Sequence, residues 1–173
     1  MLEIKSVNQD SYRDLPVPCR YCLYWQTTGD YGEEMLNPEK EKEKREWFNK
    51  ITKEFGSCMK TAYSDGVPVG FMQYAPAKFF PRVKEYTSEQ PHEDAIFIAC
   101  LYITDKGARG KGFGTDMLKD LVAGRDKRGA KAVETFARRS SAENPSGPLK
   151  LYLKHGFKTK DEKSDFPLIR LEL

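Results

Sequence analysis

The residues in this chain best suited by type and spacing to do chemistry are Arg109-Gly110-Lys111-Gly112-Phe113-Gly114-Thr115. The three glycines let the backbone turn sharply and present its N–H groups with no Cβ in the way. The stretch lies between an apolar run and a helical one, so those N–H groups belong to a helix N-terminus, which carries partial positive charge. Arg109 and Lys111 add full charges. Such a turn is a phosphate cradle, and a diphosphate suits it best. Two well-known cradles do not fit. A P-loop needs Lys and Ser or Thr after its last glycine, where Gly112 is followed by Phe113. A dinucleotide fingerprint spaces its third glycine one residue further than Gly114 and belongs to a run of βαβ units that this chain lacks. A third pattern, Arg or Gln, two residues, Gly, one residue, then Gly or Ala, matches Arg109, Gly112 and Gly114.

Other reactive residues carry weaker signals. Cys19-Arg20-Tyr21-Cys22 is a lone pair of thiols without the second pair or the histidines that a structural zinc site wants. We read both as small packed side chains beside Tyr21, Tyr24 and Trp25, with no metal expected. Cys100, flanked by Ala99 and Leu101 and without a histidine partner, reads as buried packing. Phe79, Phe80 and Arg82 either line a pocket or pin a long loop, and Arg138 and Arg139 either clamp a phosphate or sit on the surface.

These residues need elements to hold them. Leu2–Val7 alternates as a strand. Asn37-Pro38 opens a helix carrying Trp47, Ile51 and Phe55 at fourfold spacing and closed by Gly56. The charged run Glu39–Glu46 reads as that helix's solvated face. Cys58–Tyr63 and Val67–Tyr74 flank Ser64-Asp65-Gly66 as a hairpin. Residues 75–94 hold three prolines and read as a long connection without helix or strand, of a length that is often functional, in which Phe79 and Phe80 argue against simple disorder. Ala95–Ile103 is continuously apolar, as in a strand buried on both faces. A helix over Thr115–Lys127, a strand over Ala130–Phe136, a short helix over Pro148–Lys154 ended by Gly156, and strands at Phe157–Thr159 and Leu168–Leu173 complete the order. The fold class is α/β (α+β) around one mixed sheet.

With these elements in place, the sequence resembles the GNAT superfamily of acyl-CoA-dependent N-acyltransferases. Leu101-Tyr102-Ile103 followed by Arg109 to Leu118 resembles that family's CoA-binding motif. Asn144 followed by Leu151-Tyr152-Leu153-Lys154-His155-Gly156-Phe157 resembles its second motif. The resemblance covers residues 58–173 best. It implies a mostly antiparallel sheet with two splayed strands, in a single domain over residues 1–173 with a cofactor core at about 95–157. Acetyl-CoA would be the cosubstrate. The amides of Arg109, Gly110, Lys111, Gly112, Phe113, Gly114 and Thr115 would hold its pyrophosphate. Leu101 and Ile103 would flank pantetheine, lying like an added strand, and Asn144 would reach the same arm. Tyr152 would protonate the leaving thiolate, and an amine would attack the thioester directly in a ternary complex. Three departures stand out. The stretch from Ile103 to Arg109 is one residue longer than usual, Asn144 is one residue further from Tyr152, and Cys100 occupies the strand on which many members carry a base.

Composition narrows the partners. The net charge of +3 divides into +6 over residues 104–173, where 16 Lys/Arg face 10 Asp/Glu, and −3 over the rest. That surplus is modest, and without a basic–aromatic stripe it argues against nucleic acid. No apolar run approaches the ~20 residues that cross a bilayer. The start, Met1 to Lys5, resembles neither a secretory nor a transit peptide, and free cysteines suit the cytoplasm. The expected partner is a small-molecule or protein amine, with the oligomeric state open, a homodimer included. The alternative is a degenerate member that binds acyl-CoA as a sensor or scaffold, which the missing strand carboxylate favours.

Overall fold

The computed structural model describes residues 1–30, 36–124, 128–141, 144, 146–162 and 164–173. Seven strands form one sheet in the order β1-β2-β3-β4-β5-β7-β6. They are β1 (Leu2–Ser6), β2 (Met59–Ser64), β3 (Val67–Pro76), β4 (Ala95–Ile103), β5 (Ala132–Phe136), β6 (Lys158–Thr159) and β7 (Leu168–Glu172). Only β4 and β5 run parallel. The helices are α1 (Val17–Tyr21), α2 (Pro38–Glu54), α3 (Phe113–Ala123) and α4 (Leu149–Lys154). No described helix is long and apolar enough to cross a membrane.

Side-chain chemistry sets the helix ends. The Asn37 side chain accepts from the Glu39 amide at 2.9 Å, and Pro38 opens α2 with a fixed φ and no N–H to strand. Gly56, at φ +109°, ends it. The buried stripe of α2 is Lys44, Phe48 and Ile51, continued by Phe55. Trp47 packs on the edge of that stripe, and its indole donates to the Phe79 carbonyl at 3.1 Å. The expectation that Glu39–Glu46 is wholly a solvated face therefore fails at Lys44, which lies four residues before Phe48 on the apolar side.

Two further boundaries shift. α3 begins at Phe113 rather than Thr115, because Gly112 caps it in the left-handed region at φ +88°. Its expected end at Lys127 falls among residues 125–127, outside the described residues. β5 begins at Ala132 rather than Ala130, where pairing with Ala95 and Glu172 starts.

The segment expected to lack helix and strand, 75–94, is tied down. β3 extends into it to Pro76, and two 3-10 turns follow at Ala77–Phe79 and Pro81–Glu85. Phe80 is fully buried, with its ring 5.4 Å from Trp47 and 5.9 Å from Phe97. Arg82 is also buried, donating to Glu85 at 2.7 Å, to the Gly29 carbonyl at 2.6 Å and to the Tyr24 carbonyl. Tyr86 stacks between Trp25 at 5.4 Å and Phe136 at 4.4 Å. These contacts resolve the choice for Phe80 and Arg82 in favour of pinning, and they make Trp25 a core residue.

Charged contacts close the paired end of the sheet. Glu134 is fully buried and accepts from Arg170 at 3.0 Å and from the His92 amide at 2.7 Å. Arg170 also holds Asp94 at 2.9 Å, and this contact keeps the Asp94 carboxyl below its usual range.

Candidate active site

β4 and β5 pair only over Ala95↔Ala132, Ile96↔Val133 and Phe97↔Glu134. Beyond Phe97 they part, and the hydroxyl of Thr135 bridges the first step by donating to the Ile98 carbonyl at 2.7 Å. The part of β4 that holds Leu101 and Ile103 therefore has no β5 partner. A splay of this kind leaves strand-edge N–H and C=O groups free to take an extended ligand. Gln73 pairs with Cys100 and Tyr74 with Ile98, so Ala99 is left over as a bulge at the point of divergence.

The cradle lies just past the open end of β4. Gly110 and Gly112 have φ of +76° and +88°, a region that L side chains rarely adopt. A Cβ built on either would meet no atom within 4 Å. Backbone conformation, not crowding, requires these glycines, and the space before them is open to a ligand. Gly114 is helical and faces Leu151 of α4, 3.8 Å from its would-be Cβ. The first turn of α3 leaves N–H groups without intrahelical partners, pointing into this space. Lys111 and Thr115 stand in the same turn. Arg109 folds back on β4, donating to the Ile103 carbonyl at 3.0 Å and to the Tyr102 hydroxyl at 2.6 Å. It braces the turn while keeping its charge beside it.

Tyr152 stands on α4, fully buried, within reach of the opening. A Cβ on Gly147 would lie 3.6 Å from both the Tyr152 hydroxyl and the Leu101 carbonyl, so phenol and strand line one space. The hydroxyl donates to the Ser146 carbonyl. Burial pushes the phenol well above its ordinary pKa and keeps it protonated. Asn144 is turned into its own loop. Its carboxamide oxygen accepts from the Ser146 amide at 3.1 Å and hydroxyl at 2.8 Å, and its nitrogen donates to the Ser141 carbonyl.

Arg138 and Arg139 hold the loop before β7 instead of facing the cradle. Arg138 pairs with Asp165 at 3.3 Å, and Arg139 donates to the Ser164 carbonyl at 3.1 Å. Cys100 is half-buried and packs against the core. The sequence reading missed Lys44, Gln26 and Gln73, which meet on the same face as Cys100. One signal was present. Lys44, Phe48, Ile51 and Phe55 recur at helical spacing, which places the lysine on a buried stripe.

A family model described as the acetyltransferase (GNAT) family matches residues 20–157. The chain belongs to this family. No curated protein matches the sequence. Among solved structures, it is similar to the paia N-acetyltransferase of Thermoplasma acidophilum in complex with coenzyme A. That likeness has 17% identity and a TM-score of 0.60, and it covers 100% of this chain and 99% of the other. The ribosomal-protein-alanine N-acetyltransferase of Brucella melitensis gives 16% identity and a TM-score of 0.62, covering 99% and 98%. A GNAT family acetyltransferase of the same organism, in complex with acetyl-CoA, gives 12%, 0.56, 100% and 88%. At these identities the likeness shows the fold. The chain is thus a GNAT acetyltransferase-family protein built as an α/β domain with an open, seven-stranded mixed sheet.

Proposed function

We propose that this GNAT protein transfers an acetyl group from acetyl-CoA to an amine, by direct attack in a ternary complex. The observation that carries the reading is the junction of three features at one end of β4. These are a strand edge left unpaired after Phe97, a left-handed glycine turn opening α3, and a buried, protonated phenol beside the Leu101 carbonyl. The chain's groups fit the cofactor. The amides from Arg109 to Thr115 take the pyrophosphate, and Arg109 and Lys111 add charge. The free edge at Leu101 and Ile103 takes the pantetheine arm. Asn144 acts through the loop it folds. When bound, acetyl-CoA supplies the activated acetyl group.

Tyr152 holds the proton that the departing thiolate needs. An ordinary phenol at pKa ~10 already gives up its proton less readily than a thiol at ~8.5. Burial widens that gap, so the transfer runs only as the thiolate forms against the hydroxyl and replaces the Ser146 carbonyl as its partner. The catalytic domain spans residues 1–173 with its cofactor core at about 95–157, in a reducing cytoplasm that suits four free thiols.

The test is calorimetric titration with acetyl-CoA followed by CoA-release assays over an amine panel. Saturable binding with amine-dependent release is the expected result. Absence of binding overturns the reading, and binding without release from any amine returns the chain to a sensor role.

A further inference from the structure

Lys44 is a lysine where a lysine is costly. It is 2% exposed, on the face of α2 that packs against the sheet. Its ammonium donates to the Cys22 carbonyl at 2.9 Å and to the Gln26 side-chain oxygen at 3.2 Å, both neutral. Three of the cysteines near it are held neutral, because burial raises Cys19 and Cys58 to about 12 and Cys100 further. A buried cation without a counter-ion is strongly unfavourable, and burial accordingly lowers the pKa of Lys44.

A second group nearby has a deficit of another kind. Gln73 is fully buried, and its side-chain nitrogen has no hydrogen-bond partner. Its oxygen accepts from the Gln26 nitrogen at 3.2 Å. The Gln26 carboxamide therefore sits between Lys44 and Gln73, and Gln26 is partly exposed. Lys44 has only neutral acceptors among the described residues, and the Gln73 nitrogen has none. A carboxylate in the place of the Gln26 carboxamide would accept from both, once the Gln73 amide turns its nitrogen inward. Gln73 pairs directly with Cys100, just beyond the last β4–β5 pair, so this place adjoins the open half of β4.

We propose that the acceptor is an amine that also carries a carboxylate, and that Lys44 and Gln73 bind that carboxylate where the Gln26 side chain now stands. The inference rests on the acetyl-transfer reading and adds the substrate class to it. The acceptor's ammonium then lies on the side of Cys100, gives its proton to water, and the free amine attacks the thioester carbon as the CoA thiolate leaves.

The experiment compares α-amino acids with their decarboxylated amines in CoA-release assays, using wild type, Lys44→Met and Gln73→Leu. The expected result is a preference of at least about tenfold in kcat/KM for the amino acid of a pair. Lys44→Met should erase it by raising the KM of the amino acid at least about tenfold more than that of the plain amine. Equal use of both members, or a preference that survives in folded Lys44→Met, overturns the proposal while leaving acetyl transfer standing. Gln73→Leu gives the same comparison should Lys44→Met not fold. If no amine of either series is acetylated, calorimetry with N-acetylated amino acids decides. Heat with wild type that is lost in the variant supports the carboxylate site, and no heat with wild type overturns it. Failure of acetyl-CoA itself to bind is a separate result against the broader reading.

Discussion

The two sides of the open half of β4 offer their proposed ligands different kinds of group. On the cofactor side the contacts are offered by backbone: the unpaired edge of β4 and the amides of a glycine turn held at φ +76° and +88°. On the proposed acceptor side they are offered by side chains, Lys44 from α2 and Gln73 from β3, which Gln26 of a loop bridges in this structure. A backbone site needs a local conformation, which a few adjacent residues specify. A side-chain site needs three distant segments to pack correctly, and no short stretch of sequence encodes that.

The first way to break the comparison is to damage the backbone side alone. Gly112→Glu places an L side chain at φ +88° and a carboxylate where phosphate charge is to bind. Acetyl-CoA affinity should fall by at least about a thousandfold in calorimetry, equivalent to ~4 kcal/mol. Gly112 faces open space, so the cost to the fold is that of the left-handed backbone alone, about 1–2 kcal/mol, and the melting temperature should fall by several degrees with the protein still folded. Retained affinity would show that the turn is not the pyrophosphate cradle.

The acceptor side breaks through packing. Phe80 is fully buried between Trp47 and Phe97, and it anchors the 3-10 turns that hold residues 24–29 through Arg82. Phe80→Ala should cost about 3–5 kcal/mol in urea unfolding. In the variant that remains folded, acetyl-CoA should bind within about twofold of wild type, while KM for the amine rises. A loss smaller than ~1 kcal/mol would mean that the segment is a loose cover rather than a part of the core.

This division explains what the sequence alone could yield. The nine apolar residues of β4, the Asn37-Pro38 start of α2 and the glycine turn were each readable because local rules govern them. The elements within residues 75–94 were not legible, although Phe79 and Phe80 argued against disorder, because their order comes from tertiary contacts, Phe80 on Trp47 and Arg82 on the Gly29 carbonyl, and not from any period. Lys44 was hidden by charged neighbours, although its spacing to Phe48 and Ile51 marked the buried face. Arg138 and Arg139 looked like phosphate ligands by type, and they proved to be committed to Asp165 and Ser164. Residue type was informative where the fold had few ways to use it, and ambiguous where arginine had several.

Tyr152 joins the two sides in the proposed reaction, its hydroxyl meeting the thiol end of the cofactor where the amine attacks. Tyr152→Phe keeps the ring on Phe157, 5.1 Å away, and removes the proton. Turnover should drop by about a hundredfold, with the KM for acetyl-CoA nearly unchanged. Some stability should also go, about 1 kcal/mol, because the Ser146 carbonyl loses its buried donor. Unchanged turnover would remove the phenol from the chemistry and leave it as a loop anchor.

The smallest effect sharpens the comparison most, because it acts at a distance. The Asn37 side chain caps α2 through the Glu39 amide, two turns before Lys44. Asn37→Ala should cost ~1 kcal/mol, the usual value of a lost N-cap, read as a lower urea midpoint at unchanged slope. Fraying of the first turn loosens the rest of α2 without touching the turn before α3. Amine KM should therefore rise severalfold while acetyl-CoA affinity holds, because only the side-chain site depends on where α2 sits. Equal weakening of both ligands would show that α2 supports the whole sheet as one unit, and that the two sides of β4 are not separable.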